Sequence, residues 1–152
     1  MDEAGTGNRE RGTEMVAIAD YSDLKVWQEA LALAESICAK SQAFPADERF
    51  GLTSQSRRAA VSVSSCIAEG NARNSTRDYL RFLYMASGSL AEVETQLILA
   101  NRLGYLAEAE MNVLLPQLRG VQKPLQALKR ALTKKNPATV PPFPVPRFRF
   151  SA

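Results

Sequence analysis

The 152-residue chain contains no histidine, only two cysteines and a single tryptophan. Each scarcity removes a class of function. Without histidine the usual proton shuttle near neutral pH is missing, and so is the commonest nitrogen ligand for transition metals. Cys38 and Cys66 cannot by themselves complete a zinc site. Both lie among small or apolar neighbours and read as reduced, buried thiols acting as small hydrophobes. Glycine-rich phosphate loops and nucleophile elbows are absent. A helical bundle can hold two metals on carboxylates, but that pattern pairs glutamate with a histidine three residues on. Glu69, Glu92 and Glu94 have no such partner. The reading is a protein with no catalytic residues, no metal, no cofactor and no small-molecule substrate. No apolar run approaches the roughly 20 residues that span a bilayer, so no membrane partner is expected. The N-terminus lacks a basic-then-apolar leader pattern, which makes the cytoplasm the expected compartment.

What the chain does have is uneven charge. Residues 1–21 hold two arginines against five acids, and residues 22–106 hold nine charges of each sign. Residues 107–152 hold eight basic residues against Glu108 and Glu110. A basic C-terminal third points to an acidic partner such as nucleic acid or a membrane surface. A solvated helix face followed by a tail accounts for the same charges without any partner.

Hydrophobic periodicity supplies the architecture. Residues 1–21 are polar, acidic and glycine-bearing and read as a disordered extension, with Met15 an alternative position for the true start. Helix one is expected over about residues 24–43, capped by Ser22 or Asp23 and ended by Phe44-Pro45. Its apolar residues fill two adjoining rows, Leu24, Trp27, Leu31, Ala34, Cys38 and Ser41 beside Val26, Ala30, Leu33 and Ile37. That face is too wide for one seam. After a connection over residues 45–51, with room for a short helical turn, helix two spans about residues 52–71. "GNARNS" breaks it and Ser75 caps helix three, about residues 76–103, which Gly104 stops. Tyr79, Leu83, Ala86, Leu90, Val93, Leu97 and Ala100 form its stripe. Helix four, about residues 107–134, shows the cleanest heptad: Met111, Leu114, Leu118, Val121, Leu125, Leu128 and Leu132. Pro116 and Pro124 lie inside it and are expected to kink or interrupt it. The fold class is all-α: one antiparallel up-down four-helix bundle over residues 22–135. The tail, residues 136–152, is rich in proline and then alternates arginine with phenylalanine. It reads as extended or disordered, or as an arm for a neighbouring subunit or an acidic ligand.

On a helical wheel the stretch "RRAAVSVSSCIAEGNAR" separates into three rows. Ala59, Val63, Cys66, Ile67 and Gly70 face inward; Arg58, Ser62, Ser65, Glu69 and Arg73 make a polar stripe; Arg57, Val61, Ser64, Ala68 and Ala72 make a strip of mostly small side chains. Glu69 and Arg73, four apart, are expected to form a structural ion pair. Arg58, Arg73, Arg77 and Arg81 are one candidate surface for phosphates. Arg119, Lys123, Arg130 and Lys134, almost opposite the leucine stripe of helix four, are another. Structural ion pairing for the first set and a solubilising face for the second remain alternative readings. Close approach of a second subunit is expected at Val26, Trp27, Leu33, Val61, Ser64 and Ala68, where small residues and surplus apolar surface meet.

The segments "LKVWQEALALA", "FPADERFGLTSQSRRAAVSVSSCIAEGNAR" and "YLRFLYMASGSLAEVETQLILANRLGYL" add up to a recognisable pattern. Over residues 22–106 the chain resembles the small bacterial four-helix-bundle family named after proteins encoded by intervening sequences in large-subunit ribosomal RNA genes. The resemblance rests on Val26-Trp27-Gln28, Phe44-Pro45, Glu48-Arg49, Arg57-Arg58-Ala59, Ile67-Ala68-Glu69-Gly70, Gly88-Ser89 and Glu92 together. It fades through helix four. Ser64-Ser65-Cys66 stands where the family more often has a proline and an asparagine. The resemblance implies a homo-oligomeric ring, a homopentamer in the family. It also implies an RNA or DNA partner, since a relative, the accessory protein of diversity-generating retroelements, binds nucleic acid through basic residues. Three functions are therefore weighed: an oligomeric nucleic-acid-binding accessory protein, a scaffold for a protein partner, and, against the missing histidine, an enzyme.

Overall fold

The structure, a computed structural model, describes residues 20–137. The expectations for the extension up to residue 19 and for the tail from residue 138 lie outside the described residues. Four helices carry the described chain: α1 (Lys25–Lys40), α2 (Leu52–Asn71), α3 (Thr76–Arg102) and α4 (Glu108–Lys135). There is no strand among the described residues. α1 packs on α2 and α4, and α3 packs on the same two helices. The buried rows meet in one core, with Leu33, Val63, Leu83, Val93, Leu114 and Leu118 all but sealed from solvent.

α1 is shorter at both ends than its periodicity implied. Tight 3-10 turns, Tyr21–Asp23 and Ser41–Ala43, flank it, and its N-cap is Leu24 rather than Ser22 or Asp23. The Tyr21 ring meets Trp27 edge-on at 5.4 Å, so the fold begins before residue 22. At the other end, the Arg57 side chain on α2 donates to the Ser41 hydroxyl at 2.8 Å and the Cys38 carbonyl at 3.3 Å. A cation thus closes the negative end of α1 and satisfies a carbonyl with no partner inside the helix. Arg57, placed by the wheel on a strip of small residues, is a cap.

The other ends follow their sequence signals. Glu48, in the turn Ala46–Glu48, accepts the Leu52 N–H at 2.8 Å, supplying the cap that Gly51 lacks. Ser75 accepts the Asp78 N–H at 3.3 Å and starts α3. Gly104, at φ 78°, ends the α3 turn: Tyr105 N–H reaches the Ala100 carbonyl at 2.9 Å and Gly104 N–H reaches that of Asn101 at 3.0 Å. That pair of bonds requires the left-handed backbone at Gly104. Glu110 accepts the Ala107 N–H at 3.3 Å at the head of α4. α4 then runs unbroken through Pro116 and Pro124. Neither proline interrupts the helix: the carbonyls four residues back, which lose their donor, belong to Asn112 and Gly120, both exposed, so they keep access to solvent.

The core corrects the interface expectation. α1 buries Val26, Ala30, Leu33, Ala34 and Ile37, while Leu31 is 38% exposed. Its wide apolar face is used within the subunit, against α2 and α4. Val26 and Leu33 are therefore interior residues of one subunit, unavailable to a second. Ser64 is also buried, its hydroxyl donating to the Val61 carbonyl at 2.9 Å. Of the six proposed contacts, Val61 is exposed and Trp27 and Ala68 are half-buried. Cys66 is buried as expected, and Cys38 only half-buried.

At Gly70, α2 and α3 come into close contact. A Cβ there would lie 2.8 Å from Tyr79 Cδ2 and 2.9 Å from Phe82 Cβ. Replacing Gly70 by alanine ordinarily favours a helix, but here the helices must separate. Gly70→Ala is expected to lower stability by about 1–2 kcal/mol in urea denaturation, net of the propensity gain.

Candidate nucleic-acid interface

The eight cations singled out in the sequence do not form one surface. On α4, Lys123, Arg130 and Lys134 are exposed and make no ion pair among the described residues. Arg119, expected in the same row, does not join them. Its guanidinium pairs with Glu94 of α3 and donates to Gln122 Oε1 at 2.8 Å. Glu94 lies on the facing helix, which a single helical wheel cannot show.

At the corner between α2 and α3, Arg73 and Arg81 converge on one ring. Their guanidinium carbons lie 5.1 Å and 5.2 Å from the centre of Phe82. Stacking of this kind holds both cations on an aromatic face. Arg81 also lies 3.9 Å from Asp78, and Arg77 is exposed nearby in sequence. The expected Glu69–Arg73 ion pair is not formed among the described residues. α2 ends at Asn71, and Arg73 N–H turns to the Gly70 carbonyl at 3.2 Å. The spacing of four brings side chains together only while both residues are helical. Burial raises the pKa of the neighbouring Tyr79 phenol from 10.0, opposed by a hydrogen bond from Asn71. Arg58 sits apart, in an open groove of about 600 Å³ between α2 and α3, shared with Gln55, Ser62, Ser89, Glu92 and Gln96. The carboxylate of Glu92 makes that groove mixed in charge.

One cation was missed. Lys129 on α4 is only 7% exposed, and its Nζ donates to the Ser87 hydroxyl at 2.8 Å and lies 4.8 Å from the centre of the Tyr84 ring. No carboxylate pairs with it among the described residues. The heptad placed Leu128 inward, yet an α-helix turns once per 3.6 residues, and a strict seven-residue repeat drifts by about 20° per heptad. Five full turns on from Met111 the inward place falls on residue 129, and Leu128 is only half-buried. Running the wheel at 3.6 through the end of α4 would have found it. Around Lys129 an open groove of about 480 Å³ lies between α3 and α4, lined by Tyr84, Gln126, Arg130, Thr133 and Lys134. Among the described residues, no three His, Cys, Asp or Glu side chains are grouped to hold a metal ion, and no helix is long and apolar enough to cross a membrane.

Burial lowers the Lys129 pKa from its ordinary 10.5. Between the folded and unfolded values the unfolded chain holds more protons, so this group's contribution to stability improves as pH rises. Below the folded value its desolvation penalty is present in full. Ser87 keeps a partner without it, since its hydroxyl donates to the Leu83 carbonyl at 3.1 Å. Lys129→Met is therefore expected to be more stable than the parent at pH 7 by about 1 kcal/mol. The gap should narrow in urea titrations as pH approaches 10.5.

A search of curated proteins found no match to the chain. The family model described as 23S rRNA-intervening sequence protein matches residues 22–127. The match takes in α1, α2, α3 and α4 as far as Ala127, so it continues past residue 106, where the sequence resemblance fades. Lys129, Arg130 and Lys134 lie beyond it. With all but the last turns of its helical core inside that match, the chain belongs to the 23S rRNA-intervening sequence protein family.

Proposed function

We propose that this protein is a non-enzymatic, cytoplasmic, homo-oligomeric helical bundle that binds RNA or DNA through its basic surface as an accessory factor. The observation that carries this reading is the row Lys123, Arg130 and Lys134, three exposed cations on one helix without acidic partners among the described residues. Such a row suits phosphate contacts, which give affinity without reading bases. Arg73, Arg77 and Arg81 at the α2–α3 corner add a second cluster. The helices are taken to run up and down in antiparallel order. Two contacts support this: Glu94, late in α3, meets Arg119, early in α4, while Ser87, earlier in α3, meets Lys129, later in α4. A pentameric ring follows the family resemblance and would repeat each basic row around the assembly, raising weak binding by multivalency.

A second reading, a scaffold for a protein partner, draws on Ile98 and Leu99 near the end of α3, Leu103 just after it and Val113 in α4, all exposed. The two readings separate in a titration of the full chain against labelled RNA and duplex DNA at rising salt. Affinity should fall linearly on logarithmic axes, and changing Lys123, Arg130 and Lys134 together to glutamine should reduce the slope by about 2–3. Absence of binding at low salt, or affinity indifferent to salt, overturns the nucleic-acid reading. Sedimentation at micromolar concentration should give a discrete oligomer, and a folded single subunit would overturn the ring.

A further inference from the structure

The groove around Lys129 combines three features that the exposed basic row lacks. It is concave, it holds a desolvated ammonium without a carboxylate, and it has an aromatic wall. Lys129, Arg130 and Lys134 line it from α4, and Tyr84, 46% exposed, lines it from α3. No acidic side chain is among its lining residues. An ammonium has three donors, and Ser87 takes one while the Tyr84 ring faces the group at 4.8 Å. Donor capacity therefore remains for an acceptor in the groove. A buried cation without a counter-charge is costly, and an anion bound beside it would relieve that cost.

We propose that this groove is a single-strand nucleotide subsite, in which Lys129, Arg130 and Lys134 hold a backbone phosphate and Tyr84 stacks an unpaired base. The inference rests on the nucleic-acid reading above and deepens it. Its volume, about 480 Å³, falls within the range of small-ligand clefts, about 300–1,000 Å³, and suits one base with its phosphate rather than a duplex. Bases are free to stack on protein aromatics only where they are unpaired, and single-strand binders combine a cationic groove with such a ring. Lys129 beneath Tyr84 holds the ring by a cation–π contact, leaving its exposed part to the base. The subsite lies beyond the part of the chain that the family model matches, apart from Tyr84 and Gln126.

The test is fluorescence anisotropy on the full chain with a short labelled oligouridylate and with an RNA duplex of equal length. Tyr84→Leu should weaken single-strand binding about tenfold and leave duplex binding unchanged, since stacking contributes per unpaired base. Tyr84→Phe should bind as the parent does. Lys129→Met should weaken single-strand binding several-fold while remaining folded in a thermal scan. If the parent binds in a salt-dependent way but Tyr84→Leu and Lys129→Met bind single strands as the parent does, the subsite is overturned and the wider reading stands. Equal losses on single strand and duplex, or a loss in Tyr84→Phe, overturn the stacking role. A parent that binds neither probe overturns both proposals.

Discussion

The approach of α2 to α3 is the constraint on which the remaining geometry depends. Gly70 gives up a side chain so that Tyr79 and Phe82 can occupy the space, and this sets the α2–α3 corner in one register. That register puts Phe82 within reach of both Arg73 and Arg81. Further along the same pair, the Ser62 and Ser89 hydroxyls meet at 3.0 Å, so the helices are tied by polar contact as well as by the apolar seam. With α2 and α3 placed, α1 and α4 each complete the core by packing against one of them and against each other.

Packing then sorts the cations. Arg57 closes the end of α1, Arg119 spans to Glu94, and Arg73 and Arg81 lie on an aromatic ring. These are tasks suited to a planar, multiply donating head group. Four of the cations left without a structural task, Lys123, Arg130, Lys134 and Lys135, lie in the later part of α4. The functional reading depends on this division, because a phosphate competes poorly for an arginine already paired but freely for one that is not.

Local signals made most of the fold legible. The serine cap at residue 75, the glycine at 104 and the three-four spacing placed α2, α3 and α4 within a residue of their observed ends. The inward row of α2, Ala59 to Gly70, was read correctly because one face of that helix is plainly polar. α1 was harder: it offers two apolar rows, and only the positions of α2 and α4 decide that Leu33 goes in and Leu31 stays out. The candidate site was less legible still. Arg119 and Lys129 exchanged roles, the expected surface cation being paired and the unnoticed one buried beside a groove.

The amino-acid sequence by itself determined that the described residues form four amphipathic helices, where α2, α3 and α4 begin and end, and that positive charge gathers in the last third of the chain. Periodicity and capping act over a few residues, so these properties need no knowledge of neighbours. Only the tertiary structure decided which cations are spent on carbonyls, carboxylates and rings, and which remain available. That choice is made between helices, where a shift of one residue in register exchanges a solvent-facing charge for a buried one.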